Sequence, residues 1–360
     1  MDTKKVVTQT DQFELCECEM MAPNVQTPGK PLNPLDKFSL RGMSAKISKE
    51  VMEAVFVLHG IALLGQLTAL YAPPNTGKTL FTLYLLVQSI KNGQIDPSKV
   101  YYLNMDDTIN GLLEKLIIAE KYDFHMLSEG YNDFSAAKFV ATIKNMTEDG
   151  SARGIMIILD TLKKFTDLMN KSASTEFSKI LRAFALKGGT VIGLAHTNKN
   201  PGADGNLIHA GTSDILEDFD CAYIMKILEG ETDSTVVEFR NIKKRGNVEL
   251  STAYSYSQEQ GLPYEELLWS VEKVTDDQIE PLRQQAEMMS DSELTDVIET
   301  CINEGINTKM ELAKAVAERT KASKRNVLKI IDKYTGDDQN NHLWNFTVRD
   351  HGAKVFELMY

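Results

Sequence analysis

No apolar run in this 360-residue sequence is long and unbroken enough to span a bilayer. The longest candidate, 51–72, is interrupted by His59, Gly60, Gly65, Gln66 and Thr68. The first 20 residues lack a basic stretch followed by an apolar one, so no secretory signal is expected. The expected location is cytoplasmic, with no membrane partner. Cysteine is scarce. Cys16, Cys18, Cys221 and Cys301 are scattered, which excludes a disulfide-stapled scaffold and fits reduced thiols. Cys16-Glu17-Cys18 has no second Cys or His pair at metal-binding spacing and reads as part of a tail. Net positive charge is also missing. A formal charge of -12 excludes a basic nucleic-acid coat, so any DNA contact must use a local patch. Internal repeats and low-complexity segments are absent as well.

What is present is the composition of a globular chain: 42% apolar and 25% charged residues. Residues 1–37 are expected to form a flexible tail, because Pro23, Pro28, Gly29, Pro31 and Pro34 break any regular element. From residue 38 to 274, strands and helices alternate. Strands are predicted at 67–71, 100–104, 155–160, 190–195 and 221–227, mostly as continuous apolar runs that suit burial on both faces of a parallel sheet. Helices are predicted at 79–91, 111–122, 135–145 and 174–186. The alternation indicates an α/β sandwich. Edge strands are predicted at 236–241, 248–256 and 267–274. A polar linker with some helix follows over 275–290, and a further small domain over 291–360.

Between the first strand and first helix of the sandwich lies Ala72-Pro73-Pro74-Asn75-Thr76-Gly77-Lys78-Thr79. This is a phosphate loop with alanine at its first position. Gly77 lets the backbone approach phosphate, Lys78 reaches the β- and γ-phosphates, and the Thr79 hydroxyl ligates Mg2+. The expected ATP contacts run from Ala72 through Pro73, Pro74, Asn75, Thr76, Gly77, Lys78 and Thr79 to Leu80. A metal carboxylate belongs at the end of a neighbouring buried strand, where Asp160 closes five apolar residues. The competing reading of Asp160 is a helix cap. Asp106, after the strand 100–104, is the candidate catalytic carboxylate that orients water. Capping by Asp107 or Thr108 is its alternative. His196 ends the strand 190–195, where it either senses the γ-phosphate or is simply solvated. Lys243, Lys244 and Arg245 sit on an edge hairpin, either as a solvated basic turn or as cations for the transferring phosphoryl group.

Taken in order, the phosphate loop, Tyr101-to-Asp107, Asp160-Thr161-Leu162-Lys163-Lys164-Phe165, Ala195-His196-Thr197-Asn198-Lys199, the segment 211–220 and Lys243-Lys244-Arg245-Gly246 carry a family likeness. The set resembles the RecA-like P-loop ATPases, in the branch of plasmid RepA hexameric helicases and similar ATPases of phages and integrating elements. The resemblance covers about residues 38–274. It implies ATP and Mg2+ as ligands, with Lys78 and Thr79 on the phosphates and metal, Asp160 on the metal, and His196 as γ-phosphate sensor. It further implies that Lys243 and Arg245 reach the ATP of the next subunit in a homo-oligomeric ring, a hexamer being favoured, and that 211–220 lines a channel for single-stranded DNA. The family's usual residue after the second strand is glutamate. Asp106 is one methylene shorter, which points to a closer backbone or to slow turnover.

The region 291–360 reads as a winged helix-turn-helix. Helices are predicted at 292–303, 308–318 and 323–334, followed by a hairpin at 343–348 and 353–358. Residues 319–333 hold six basic side chains against Asp332 alone. Lys321, Lys324, Arg325 and Lys329 are candidate phosphate contacts, and Asn326 a candidate base contact. A protein-binding winged helix is the competing reading. The function expected is a ring-shaped DNA helicase or translocase in replication of a mobile element. The alternative is an ATP-gated, winged-helix DNA-binding regulator or loader without unwinding activity. A strand-exchange ATPase ranks third, for want of an N-terminal polymerisation segment.

Overall fold

The computed structural model describes residues 33–50, 54–197, 213–228, 233–339, 341–349 and 352–359. The chain divides into two compact units, Met1–Val51 and Met52–Tyr360, so 38–51 groups with the N-terminal unit rather than with the sandwich. In the N-terminal unit, a 3-10 turn at Asp36–Phe38 precedes helix α1 (Ser44–Glu50). Cys16, Cys18 and the prolines expected to break the tail before residue 33 lie outside the described residues.

The larger unit opens with a short hairpin, β1 (Phe56–Leu58) and β2 (Ala62–Leu63), which the sequence reading did not anticipate. Next come β3 (Leu67–Ala72), α2 (Lys78–Lys91), β4 (Val100–Asn104), α3 (Ile109–Lys121), β5 (His125–Leu127), α4 (Ala136–Asp149), β6 (Met156–Asp160), α5 (Lys171–Leu186) and β7 (Thr190–His196). The remainder is α6 (Ser213–Asp218), β8 (Cys221–Leu228), β9 (Ser234–Lys243), β10 (Ser251–Ser257), α7 (Tyr264–Trp269), β11 (Glu272–Val274), α8 (Asp276–Asn303), α9 (Lys309–Thr320), α10 (Lys324–Lys333), β12 (Trp344–Val348) and β13 (Lys354–Leu358).

Nine strands form one sheet in the order β11-β10-β9-β8-β3-β7-β6-β4-β5. The strands from β8 to β5 are mutually parallel, and β9 to β11 extend the sheet antiparallel. The fold is therefore a mixed α/β sandwich with a mostly parallel central sheet. Continuous apolar runs form its centre because both faces are covered. Alternate residues of β3 serve two cores. Leu70 and Ala72 pack with Phe81, Leu83, Ile158 and Phe239, while Leu67, Ala69 and Tyr71 pack with Phe139, Leu159 and Phe184. Register brings the carboxyl ends of the parallel strands together: Ala72 pairs with His196, and Asp160 pairs with Asn104 and Leu194. That edge is where open parallel sheets bind ligands.

Two expectations need correction. The stretch 267–274 is not one strand: α7 occupies its start and β11 its last three residues. The linker with some helix expected at 275–290 is helical from Asp276 onward, because α8 runs unbroken from Asp276 to Asn303. Its polar sequence is rich in helix-forming Glu, Gln, Met and Ala. Gln278 Oε1 accepts from the Thr275 N–H at 3.1 Å, closing the first turn. The first half of α8 lays Ile279 and Ala286 on Leu228, Val236 and Ala253. There Arg283 meets the buried Glu238 at 2.8 Å. The second half packs Ile298, Cys301 and Ile302 against Leu312, Val316, Val327, Ile331, Trp344 and Phe356. One helix therefore carries residues of both the sandwich core and the C-terminal core.

Trp344 is fully buried there, and its indole N–H bonds Ile331 O and Thr335 Oγ1, each at 3.0 Å. Trp344→Ala is expected to cost about 3–5 kcal/mol in the C-terminal core. Limited proteolysis should then show cleavage after about residue 300 while the sandwich stays resistant.

Candidate active site

The phosphate loop turns between two buried elements. Asn75 and Gly77 adopt φ of 61° and 87°, the left-handed region. A Cβ on Gly77 would crowd the Phe81 ring at 3.0 Å, and the left-handed backbone there favours glycine. Helix α2 starts with no side-chain cap, leaving its first N–H groups for a ligand.

Lys78 is buried, and its ammonium donates to Ala72 O at 3.4 Å and Pro73 O at 3.2 Å. His196 Nδ1 lies 3.4 Å from the same ammonium. Burial pushes the Lys78 pKa down from its ordinary value, against the pull of Asp160. Burial and then the Lys78 charge push the His196 imidazole down, so at neutral pH it stands neutral beside a cation.

Asp160 ends β6 almost fully buried. Its Oδ2 accepts from the Thr79 hydroxyl at 2.7 Å and from the Tyr102 hydroxyl at 2.7 Å. Burial raises its pKa, and those two hydrogen bonds offset part of the rise. At the end of β4, Asp106 and Asp107 diverge. Asp106 Oδ2 pairs with Lys163 at 3.3 Å and Oδ1 with Lys164 at 3.1 Å. Burial raises the Asp106 pKa, but the bonds from Lys164 and Lys163 outweigh it and hold the carboxyl below its ordinary range. Asp107 accepts from Asn104 and from the buried Lys115. Thr108 caps α3 instead, which leaves Asp106 free of a capping role.

These groups line a cleft of about 540 Å³, in the range of ligand sites. Its walls include Pro74 to Leu80, Asp106, Asp107, Asp160, Thr161, Lys163, His196 and Tyr264. Of the expected nucleotide contacts, Ala72 and Pro73 lie off this wall and serve Lys78 through their carbonyls. Leu80 lines the cleft while counting among the buried core. Asn198 and Lys199 lie outside the described residues, as do 211 and 212 of the expected channel segment.

The donor set fits a nucleotide with a hard divalent cation. Thr79 and Asp160 present oxygen ligands side by side, and the Thr161 Oγ1 and Tyr264 Oη on the cleft wall are buried without partners. Among the described residues no cluster of three or more His, Cys, Asp or Glu could cage a metal alone.

Lys243 and Arg245 stand elsewhere. The Lys243 ammonium donates to Leu216 O at 2.9 Å and to Glu217 O. Arg245 pairs with Asp220 at 2.6 Å, and Arg182 holds the same carboxylate at 2.9 Å. Their place is the end of β9, not this chain's phosphate loop. On the C-terminal helices, Lys321, Lys324, Arg325 and Lys329 are exposed and Asn326 half-buried. Lys333 is tied to Asp291 at 2.7 Å and Glu287 at 3.0 Å. The sequence reading gave no role to Tyr102 and Lys163, although both lie in the segments that carry the family likeness, and it missed Lys115 and Tyr264. Lys115 had a faint signal, a lysine inside the apolar run of α3, whereas Tyr264 had none.

A carboxyl with a raised folded pKa weakens the fold above that pKa, and the penalty fades as pH falls through it. Asp160→Asn should therefore raise the melting temperature of the ligand-free protein at neutral pH, by a margin that shrinks on acidification. The same variant should lose metal-dependent nucleotide binding. Calorimetry across pH, with nucleotide titrations at fixed Mg2+, checks both.

Among the described residues no helix is long and apolar enough to cross a membrane. No curated protein sequence matches the chain. A solved structure of another protein's ATPase domain aligns with 66% of this chain and 99% of that chain, at a TM-score of 0.47 and 11% identity. Residues 53–202 match the family model described as AAA domain, a span that holds the phosphate loop, Asp106, Asp160 and His196.

Proposed function

We propose that this chain binds and hydrolyses ATP with Mg2+ and works as a RecA-like motor on DNA. The supporting observation is the constellation at the carboxyl ends of β3, β4, β6 and β7: Lys78 and Thr79 on one helix N-terminus, Asp160 hydrogen-bonded to Thr79, and Asp106 across the cleft. In this reading the α2 N–H groups and Lys78 hold the phosphates, the ammonium exchanging weak carbonyl partners for a strong anion. Thr79 and Asp160 would hold the Mg2+, which would supply charge neutralisation at the phosphoryl oxygens. Asp106 orients the attacking water, and neutral His196 reads the terminal phosphate through its contact with Lys78. Lys243 and Arg245 would serve a neighbouring subunit's ATP after leaving Leu216, Glu217 and Asp220. We favour a hexameric helicase or translocase in replication of a mobile element, with 291–360 as a winged helix on DNA.

A second reading has its own support. Asp106 is already ion-paired twice and Arg245 once, which suits slow turnover in an ATP-gated DNA-binding regulator.

Lys78→Ala should cut hydrolysis at least about a hundredfold with the fold retained. Normal turnover in that variant refutes the ATPase reading. Hydrolysis measured with and without single-stranded DNA, alongside particle mass, separates the two roles. Several-fold stimulation on a six-fold mass supports the motor, and flat, slow turnover on a monomer or dimer supports the regulator.

For the C-terminal surface, Lys324, Arg325 and Lys329 replaced together by alanine should weaken duplex binding. The slope of log affinity against log salt should fall by roughly two to three. An unchanged affinity and slope assigns this region to protein contacts.

A further inference from the structure

Asp106 is a single carboxylate holding two ammonium groups. Lys163 takes Oδ2 and Lys164 takes Oδ1. One negative charge balances one of them, so this corner of the cleft carries a surplus cation. The two lysines are not equivalent. Lys163 lies on the cleft wall and Lys164 does not. The charge on Lys163 is felt by both Lys78 and His196, the groups at the phosphate end.

The backbone that bears them is packed while their side chains reach solvent. Both leave the 3-10 turn Leu162–Lys164 directly after β6. Leu162 is fully buried and lies so close to β7 that a Cβ on Gly193 would meet it at 2.7 Å. The Lys163 side chain is 45% exposed and can rotate without disturbing that packing.

Resting on the ATP reading above, we infer that Lys163 is the cation that distinguishes ATP from ADP. Its ammonium leaves Asp106 Oδ2 for the terminal phosphate, while Lys164 keeps Oδ1 in place. The exchange replaces a half-exposed ion pair, worth little in water, with a charge-assisted bond to a multiply charged anion. It also frees Oδ2 to accept a hydrogen bond from water only when a triphosphate is present. Asp106 is then covered in the nucleotide-free and diphosphate states and available in the triphosphate state. Lys163 is thus a specificity-determining residue that also gates the carboxylate.

The test is equilibrium binding of ADP and of a non-hydrolysable β,γ-imido ATP analogue, both with Mg2+, to the full chain. In Lys163→Ala the triphosphate analogue should lose about ten- to a hundredfold in affinity while ADP stays within about twofold. Lys163→Arg should recover most of the loss. Lys164→Ala removes the same charge from the same carboxylate but should spare the preference for triphosphate. Equal losses in Lys163→Ala and Lys164→Ala mean a general charge effect and overturn the proposal, as does an unchanged ratio of the two affinities in Lys163→Ala. If the wild-type chain binds neither nucleotide, the ATP reading falls and takes this one with it. Wild-type binding with an unmoved ratio overturns the lysine's role alone.

Discussion

The buried carboxylate of Asp160 is the joint on which the site depends. It ends the buried strand β6 and accepts from Thr79 at the start of α2 and from Tyr102 on β4, each at 2.7 Å. Three elements distant in sequence are thereby held at one point. A buried carboxylate held by two hydroxyl donors rather than by a cation is costly, as its raised pKa records. The arrangement makes sense if stability is given up for pre-positioned oxygen ligands. A divalent cation placed against Thr79 and Asp160 would remove that penalty, so binding energy would come partly from relief of the burial.

The cations around the cleft follow one pattern. Lys78 sits on two carbonyls, and Lys163 and Lys164 share one carboxylate. Each has partners weaker than a phosphate would be. Lys115 is the contrast. It is buried and paired with Asp107, its ammonium 5.0 Å from the centre of the Tyr264 ring. Lys115 braces the wall of the cleft, whereas Lys78 and Lys163 are available to a ligand on it. Lys78 is as buried as Lys115 but meets carbonyls rather than a carboxylate, and Lys163 shares its carboxylate with a second ammonium, whereas Lys115 has Asp107 to itself.

Much of this architecture was legible in the residues. Buried parallel strands announce themselves as apolar runs, so β3, β4, β6, β7 and β8 fell within a residue or two of their predicted bounds. The phosphate loop was legible because its chemistry dictates its spacing, and Asp160 because a charge at the end of five apolar residues is conspicuous. Local signals failed where structure is set by partners distant in sequence. β5 is three residues long and exists by pairing with β4. α7 lies far along the chain from the phosphate loop and from β4. It brings Tyr264 to the cleft only through tertiary packing on α2 and α3, which no periodicity encodes. The start of α8 was read only as a linker with some helix because it is polar, although its residues are helix formers and its apolar positions, Ile279, Leu282 and Ala286, are spaced three and four apart.

That helix has a mechanical consequence. An irregular linker at 275–290 would let the C-terminal helices drift freely from the sheet. A continuous α8 instead carries the C-terminal core on a rod whose first half is held at the antiparallel edge of the sheet by Ile279, Ala286 and the Arg283–Glu238 pair. Glu238 lies on β9, the strand that ends in Lys243, and Arg245 follows two residues later. The same strand thus holds Lys243 at its end and, through the Glu238–Arg283 pair, the helix that carries the C-terminal core.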